Sequence, residues 1–163
     1  MPIKFQANRN TMIMGPSGAG KTHFILDVIR QELIHPMPKR IFYMYNIEQN
    51  FMLTWNDTEK QHINFIKGLK FDEIDTSEPS MLVIDDFVLS SNNELGKMFL
   101  MGSHHRQISL FYITQCIFPD DAIFRKMSRN SHFFCYFSLS EKQHASSHSR
   151  TTNGAFQAGE GCI

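Results

Sequence analysis

Cysteine is scarce in this sequence. Its 163 residues hold three, Cys116, Cys135 and Cys162, odd in number and far apart. That excludes a disulfide framework as the source of stability and points to reduced thiols in an intracellular protein. An excess of either charge is missing too: Lys and Arg total 16, Asp and Glu 16. No global basic field marks a nucleic-acid binder, although balanced totals leave room for a local patch. No apolar run approaches the ~18–20 residues that a bilayer span requires, so no membrane partner is expected. The polar start "MPIKFQANRN" lacks the pattern of a secretory leader. Internal repeats are absent. What is present is a hydrophobic content of 42%, enough for a core, in a length that predicts one domain.

The most informative stretch is "GPSGAGKTH", residues 15–23. It fits the phosphate-loop pattern with Gly15, Gly20, Lys21 and Thr22. Small residues let backbone N–H groups converge on a phosphate, so Gly15, Pro16, Ser17, Gly18, Ala19 and Gly20 form the expected cradle with Lys21, Thr22 and His23. Lys21 supplies a point charge to the outer phosphates, and the Thr22 hydroxyl faces a Mg²⁺ ion. The pattern carries this meaning only between a strand and a helix. "TMIMG" (11–15) predicts the strand. "KTHFILDVIRQELIHP" (21–36) predicts the helix, with Phe24, Ile25, Val28, Ile29 and Leu33 at helical spacing and an end at Pro36.

Further strands are predicted at 39–46, 62–69, 81–88, 108–115 and 131–139, and helices at 90–102 and 120–130. A short helix or loop follows the strand at 39–46. Leu95, Met98 and Phe99 are expected to face the core. Strands alternating with helices predict an α/β fold, a mostly parallel sheet covered on both faces. Residues 1–140 form the predicted domain. The polar stretch 141–163, with Phe156 and Ile163 as its large apolar residues, is expected to be a weakly ordered tail.

A phosphate loop needs a metal partner, and the end of a neighbouring apolar strand is the usual place. "MLVIDD" (81–86) offers Asp85 for the metal and Asp86 to polarise an attacking water. Asp is shorter than Glu, so a water served by Asp86 must sit closer or be oriented by a second group. Thr114 and Gln115 end the strand expected beside that of Asp85, where the Gln115 amide can orient water or sense a γ-phosphate. Arg106 precedes the same strand, and its guanidinium suits charge on a transferring phosphoryl group; Arg129 competes for that role. His104 and His105 are adjacent and point apart. His144 and His148 share helical spacing but lack an accompanying Glu, so no zinc site is expected.

With "GPSGAGKTH", "MLVIDD" and "SHHRQISLFYITQ" together, the chain resembles the FtsK–HerA group of RecA-like P-loop ATPases. Within it, the resemblance is to the genome-packaging ATPases of double-stranded DNA viruses and Polinton transposons, over residues 5 to 140. It implies a homo-oligomeric ring that binds ATP and Mg²⁺ and threads double-stranded DNA into a capsid, in contact with a capsid or portal protein. The implied location is the cytoplasm or nucleus of an infected cell, or the virion. By the same resemblance Lys21 and Thr22 bind phosphate and metal, and Asp85 completes the metal shell. Asp86 stands for the catalytic acid, Gln115 for the sensor after the fourth core strand, and Arg106 for a finger reaching a neighbouring subunit. Asp86 departs from the commoner Glu, and the stretch after Gln143 lacks the apolar elements expected to close the core.

Two other classes stay open on the sequence: a nucleotide-binding assembly module without turnover, and a small-molecule kinase. The kinase reading lacks an arginine-rich lid segment. Lys60, Lys67, Lys70 and Lys97 are scattered, and only a ring would gather them around DNA.

Overall fold

The computed structural model describes residues 4–75, 77–87, 93–105, 107–115 and 122–139. Two short strands, β1 (Phe5–Gln6) and later β3 (Ile34–His35), stand apart from the main sheet. Strand β2 (Asn10–Met14) leads through the glycine loop into helix α1 (Lys21–Arg30). Strand β4 (Arg40–Tyr45), helix α2 (Phe51–Thr58) and strand β5 (Asn64–Lys67) follow. The chain continues through β6 (Ser80–Asp85), α3 (Asn93–His105), β7 (Ile108–Thr114), α4 (Ala122–Arg129) and β8 (Phe133–Tyr136).

The main sheet has six strands in the order β5-β4-β6-β7-β2-β8. Every neighbouring pair in it is parallel. β2, β6 and β7 are buried along their whole length, which is why they read as unbroken apolar runs and not as alternating ones. Successive side chains still point to opposite faces. Ile13, Tyr43, Val83 and Ile113 meet Ile25, Val28 and Ile29 of α1 and Trp55 of α2. Met12, Met44, Leu82, Ile84 and Tyr112 meet Leu95, Met98 and Phe99 of α3 and Phe124 and Met127 of α4. Both faces are therefore covered, and the three α3 residues expected inside are buried.

One expected boundary is wrong. The first helix ends at Arg30, not at Pro36. Glu32 takes a left-handed φ of 52°, and Leu33 N–H turns back to the Val28 carbonyl at 3.0 Å. Ile34 and His35 then pair in parallel with Phe5 and Gln6. The gain is burial: Ile34 and Phe5 are 2% and 3% exposed. Phe5 meets Phe111 and Phe133 edge to face, both at 5.5 Å between ring centres. Such packing outweighs the small preference of these residues for a longer helix.

Parallel pairing brings the C-terminal ends of all six main-sheet strands to one edge. The glycine loop leaves β2 there, Asp86 follows β6 and Gln115 follows β7. Strand β7 lies between the other two.

Candidate functional site

The glycine loop turns where the sequence demands it. Gly15 leaves β2 with φ 152°, and a Cβ on it would stand 2.4 Å from the Phe137 carbonyl oxygen. Only hydrogen fits that space. Gly20 has φ 92° as the residue before α1, a left-handed value that costs other residues about 1–2 kcal/mol. Its carbonyl accepts the Phe24 N–H at 2.9 Å, the first bond of the helix. Ser17 and Gly18 are exposed at the loop's tip, Pro16 and Ala19 are half-buried, and His23 is exposed in the first turn. The end of α1 thus faces outward with its N–H groups and positive dipole end available to an anion.

Lys21 is buried beneath this loop. Its Nζ donates to the Gly15 carbonyl at 2.8 Å and the Pro16 carbonyl at 2.7 Å. Burial lowers the Lys21 pKa, and the charges of Asp86 and Asp85 act in the opposite direction. Both carboxylates therefore lie within electrostatic reach of the ammonium.

Asp85, the last residue of β6, is 5% exposed. Its Oδ2 accepts the Tyr43 hydroxyl at 2.6 Å and the Gln49 amide at 3.1 Å. Burial raises the Asp85 pKa; the bond from Tyr43 opposes the rise, the Asp86 charge adds to it, and Gln49 and Lys21 oppose it. Tyr43 is fully buried in β4. Its own pKa is pushed far up, first by burial and then by the Asp85 charge, with Thr22 acting weakly in the opposite direction.

Asp86 is exposed and sits at φ 57°. Its N–H bonds the Ile113 carbonyl at 3.2 Å, and its Oδ2 accepts the Gln115 amide at 2.8 Å. Gln115 thus stands beside the second acid, at the end of the strand next to that of Asp85. Gly15 N–H bonds the Thr114 carbonyl at 3.3 Å, and the Tyr112 hydroxyl bonds the Phe87 carbonyl at 2.8 Å. The end of β7 therefore touches both the loop and the acid turn.

Thr22 and Asp85 together present a hydroxyl and a carboxylate, hard oxygen donors that suit Mg²⁺ completed by water and phosphate oxygens. Among the described residues, no group of three or more His, Cys, Asp or Glu is placed to hold a metal ion, and a Thr–Asp pair would need a nucleotide for the remaining ligands. Arg106 lies outside the described residues, as does the 141–163 segment. Arg129 is exposed at the last turn of α4. The Asn130 carbonyl beside it bonds the side chain of Asn10, the first residue of β2. That puts Arg129 near the sheet edge opposite the glycine loop. Sequence reasoning missed Tyr43, Gln49 and Phe137. The signal for Tyr43 was a hydroxyl in the middle of a buried strand, which must find a partner.

No protein-family model matches the sequence, and neither does any curated protein. Solved structures do match. The chain is similar to the flagellar accessory protein FlaH from Methanocaldococcus jannaschii, with a TM-score of 0.56 and 9% identity over 81% of this chain and 72% of that one. It is similar to ATPases 2 and 3 of EssC from Geobacillus thermodenitrificans, with a TM-score of 0.56 and 9% identity over 91% of this chain. The chain spans 36% of the length of that EssC structure. The genome-packaging NTPase B204 of Sulfolobus turreted icosahedral virus 2, solved with ATP-gammaS, matches with a TM-score of 0.51 and 12% identity over 83% of this chain and 78% of that one. At these identities the likeness is one of fold: a RecA-like P-loop α/β fold, with a mostly parallel sheet flanked by helices.

Proposed function

We propose that the chain is an ATP-hydrolysing motor that translocates double-stranded DNA, working as a homo-oligomeric ring in viral genome packaging. The observation that carries the reading is convergence. The Lys21 loop, Asp85, Asp86 and Gln115 come from three separate strand ends and meet at one edge of the sheet. Each has the chemistry that phosphoryl transfer to water requires. Phosphate oxygens compete for the Lys21 ammonium that now serves the Gly15 and Pro16 carbonyls. N–H groups of the loop and of the first turn of α1 cradle the negative charge. Asp86 accepts a proton from water, and the Gln115 amide fixes the carboxylate that does so. Thr22 and Asp85 would hold a magnesium ion, which would supply charge neutralisation at the outer phosphates.

Motor action and DNA rest on the motif order, with Gln115 after the strand beside that of Asp85, and on the fold shared with B204. A ring would supply this edge with an arginine from a neighbour; Arg106 is our choice for it and Arg129 the competitor. A capsid or portal protein is the proposed docking partner, in the infected cell or the virion.

The test is turnover. We expect Mg²⁺-dependent ATP hydrolysis that double-stranded DNA stimulates and Lys21→Ala abolishes. A purified oligomer that releases no phosphate, with or without DNA, defeats the motor reading. One observation favours a second reading, nucleotide binding without turnover: Gln115 already occupies an oxygen of Asp86. Tight ATP binding with no phosphate release selects it.

A further inference from the structure

We propose that Tyr43 is a positioning residue that aims Asp85 at the metal of the bound nucleotide, with Gln49 as its second hand. The proposal rests on the nucleotide reading above. It starts from one geometric fact: both hydrogen bonds to the Asp85 carboxylate converge on Oδ2, at 2.6 Å from Tyr43 and 3.1 Å from Gln49. Two donors on one oxygen fix the plane of the carboxylate and leave Oδ1 for a cation. A single donor would leave the group free to rotate.

The two donors come from one stretch of chain. Tyr43 lies in β4, which pairs with β6 so that Tyr45 stands opposite Asp85. Its side chain faces α1 and α2, packed at 5.8 Å from both Phe51 and Phe65. The ring cannot swing, so the hydroxyl is a fixed point. Gln49 is half-buried in the turn that follows β4. Both donors therefore reach Asp85 from β4 and the residues just after it. Partners that orient a ligand in this way typically matter by 10- to 100-fold in metal affinity.

A merely structural tyrosine would make a different prediction. Its loss would weaken the fold and leave the metal dependence of nucleotide binding alone. The experiment titrates Mg²⁺ into the full chain with a fluorescent ATP analogue, and separately measures analogue binding in excess EDTA. For Tyr43→Phe we expect the Mg²⁺ half-saturation to rise at least about 10-fold, with metal-free binding within twofold of the parent chain. Gln49→Ala, at a half-buried turn, should shift the same half-saturation in the same direction by a smaller factor. It carries the test should Tyr43→Phe not fold. Lys21→Ala should instead lose binding in both buffers. An unchanged Mg²⁺ half-saturation in the folded variants overturns the positioning role and leaves the nucleotide reading standing. Absence of analogue binding by the parent chain overturns both.

Discussion

At Gly15 a single hydrogen atom separates a phosphate loop from a collision. A methyl group there meets the Phe137 oxygen at 2.4 Å and the Phe137 Cβ at 2.8 Å. We expect Gly15→Ala to cost about 1–3 kcal/mol in equilibrium urea unfolding, since the obstacle is backbone and cannot move aside. Asp85 makes the opposite case. Its raised pKa, caused mainly by burial, means the fold prefers the protonated form. As pH climbs from the ordinary value of 3.8 to the raised folded value, the unfolded chain has released its proton while the fold retains it. Stability falls through that window and stays lower above it. In metal-free buffer we therefore expect Asp85→Asn to flatten this limb and to stabilise the chain at neutral pH by roughly 0.5–2 kcal/mol, while removing the response to Mg²⁺. Denaturation across pH 4 to 8 checks it. The residues of the loop and both aspartates were legible in the sequence because their chemistry is tied to fixed spacing. Tyr43 and Gln49 were not, because their partners lie 42 and 36 positions away.

Elements were legible where pattern and packing agree. The apolar runs of β2, β6 and β7 read as strands in a covered sheet, given their shortness and flanking turn residues, and the residues of α3 expected inside are inside. The first helix was overextended because Leu33 continues its apolar spacing. Periodicity cannot reveal that Ile34 has a better partner in Phe5, far off at the start of the chain. The sequence alone leaves α2 open between helix and loop, since its apolar face is short. What secures it is Trp55, 3% exposed, whose Nε1 donates to the Gln61 carbonyl at 2.7 Å. The Arg30 guanidinium lies 5.1 Å from the ring centre. Trp55→Ala should cost about 3–5 kcal/mol. As Trp55 is the single tryptophan of the sequence, its emission in the parent chain should change in step with circular dichroism during unfolding. Separate transitions would mean that α2 undocks alone.

For the whole molecule, the strand order matters more than any one contact. Fold class followed from alternating strands and helices, but the order β5-β4-β6-β7-β2-β8 is set by long-range pairing that no local pattern encodes. The ring proposed above requires neighbours, so we expect light scattering to give a multimer when ATP and Mg²⁺ are present; a strict monomer under those conditions would leave no second subunit to lend the proposed Arg106. The interposed β7 has one more consequence. Its final carbonyls, Ile113 and Thr114, grip Asp86 and Gly15 through main-chain atoms, so exchanging those side chains leaves the grip intact. Lengthening or shortening the strand by one residue does not: it rotates both carbonyls away and drags Gln115 off its acid. Drift in spelling is thus tolerated at this yoke between loop and acid, whereas a change in count uncouples the two halves of the site in one step.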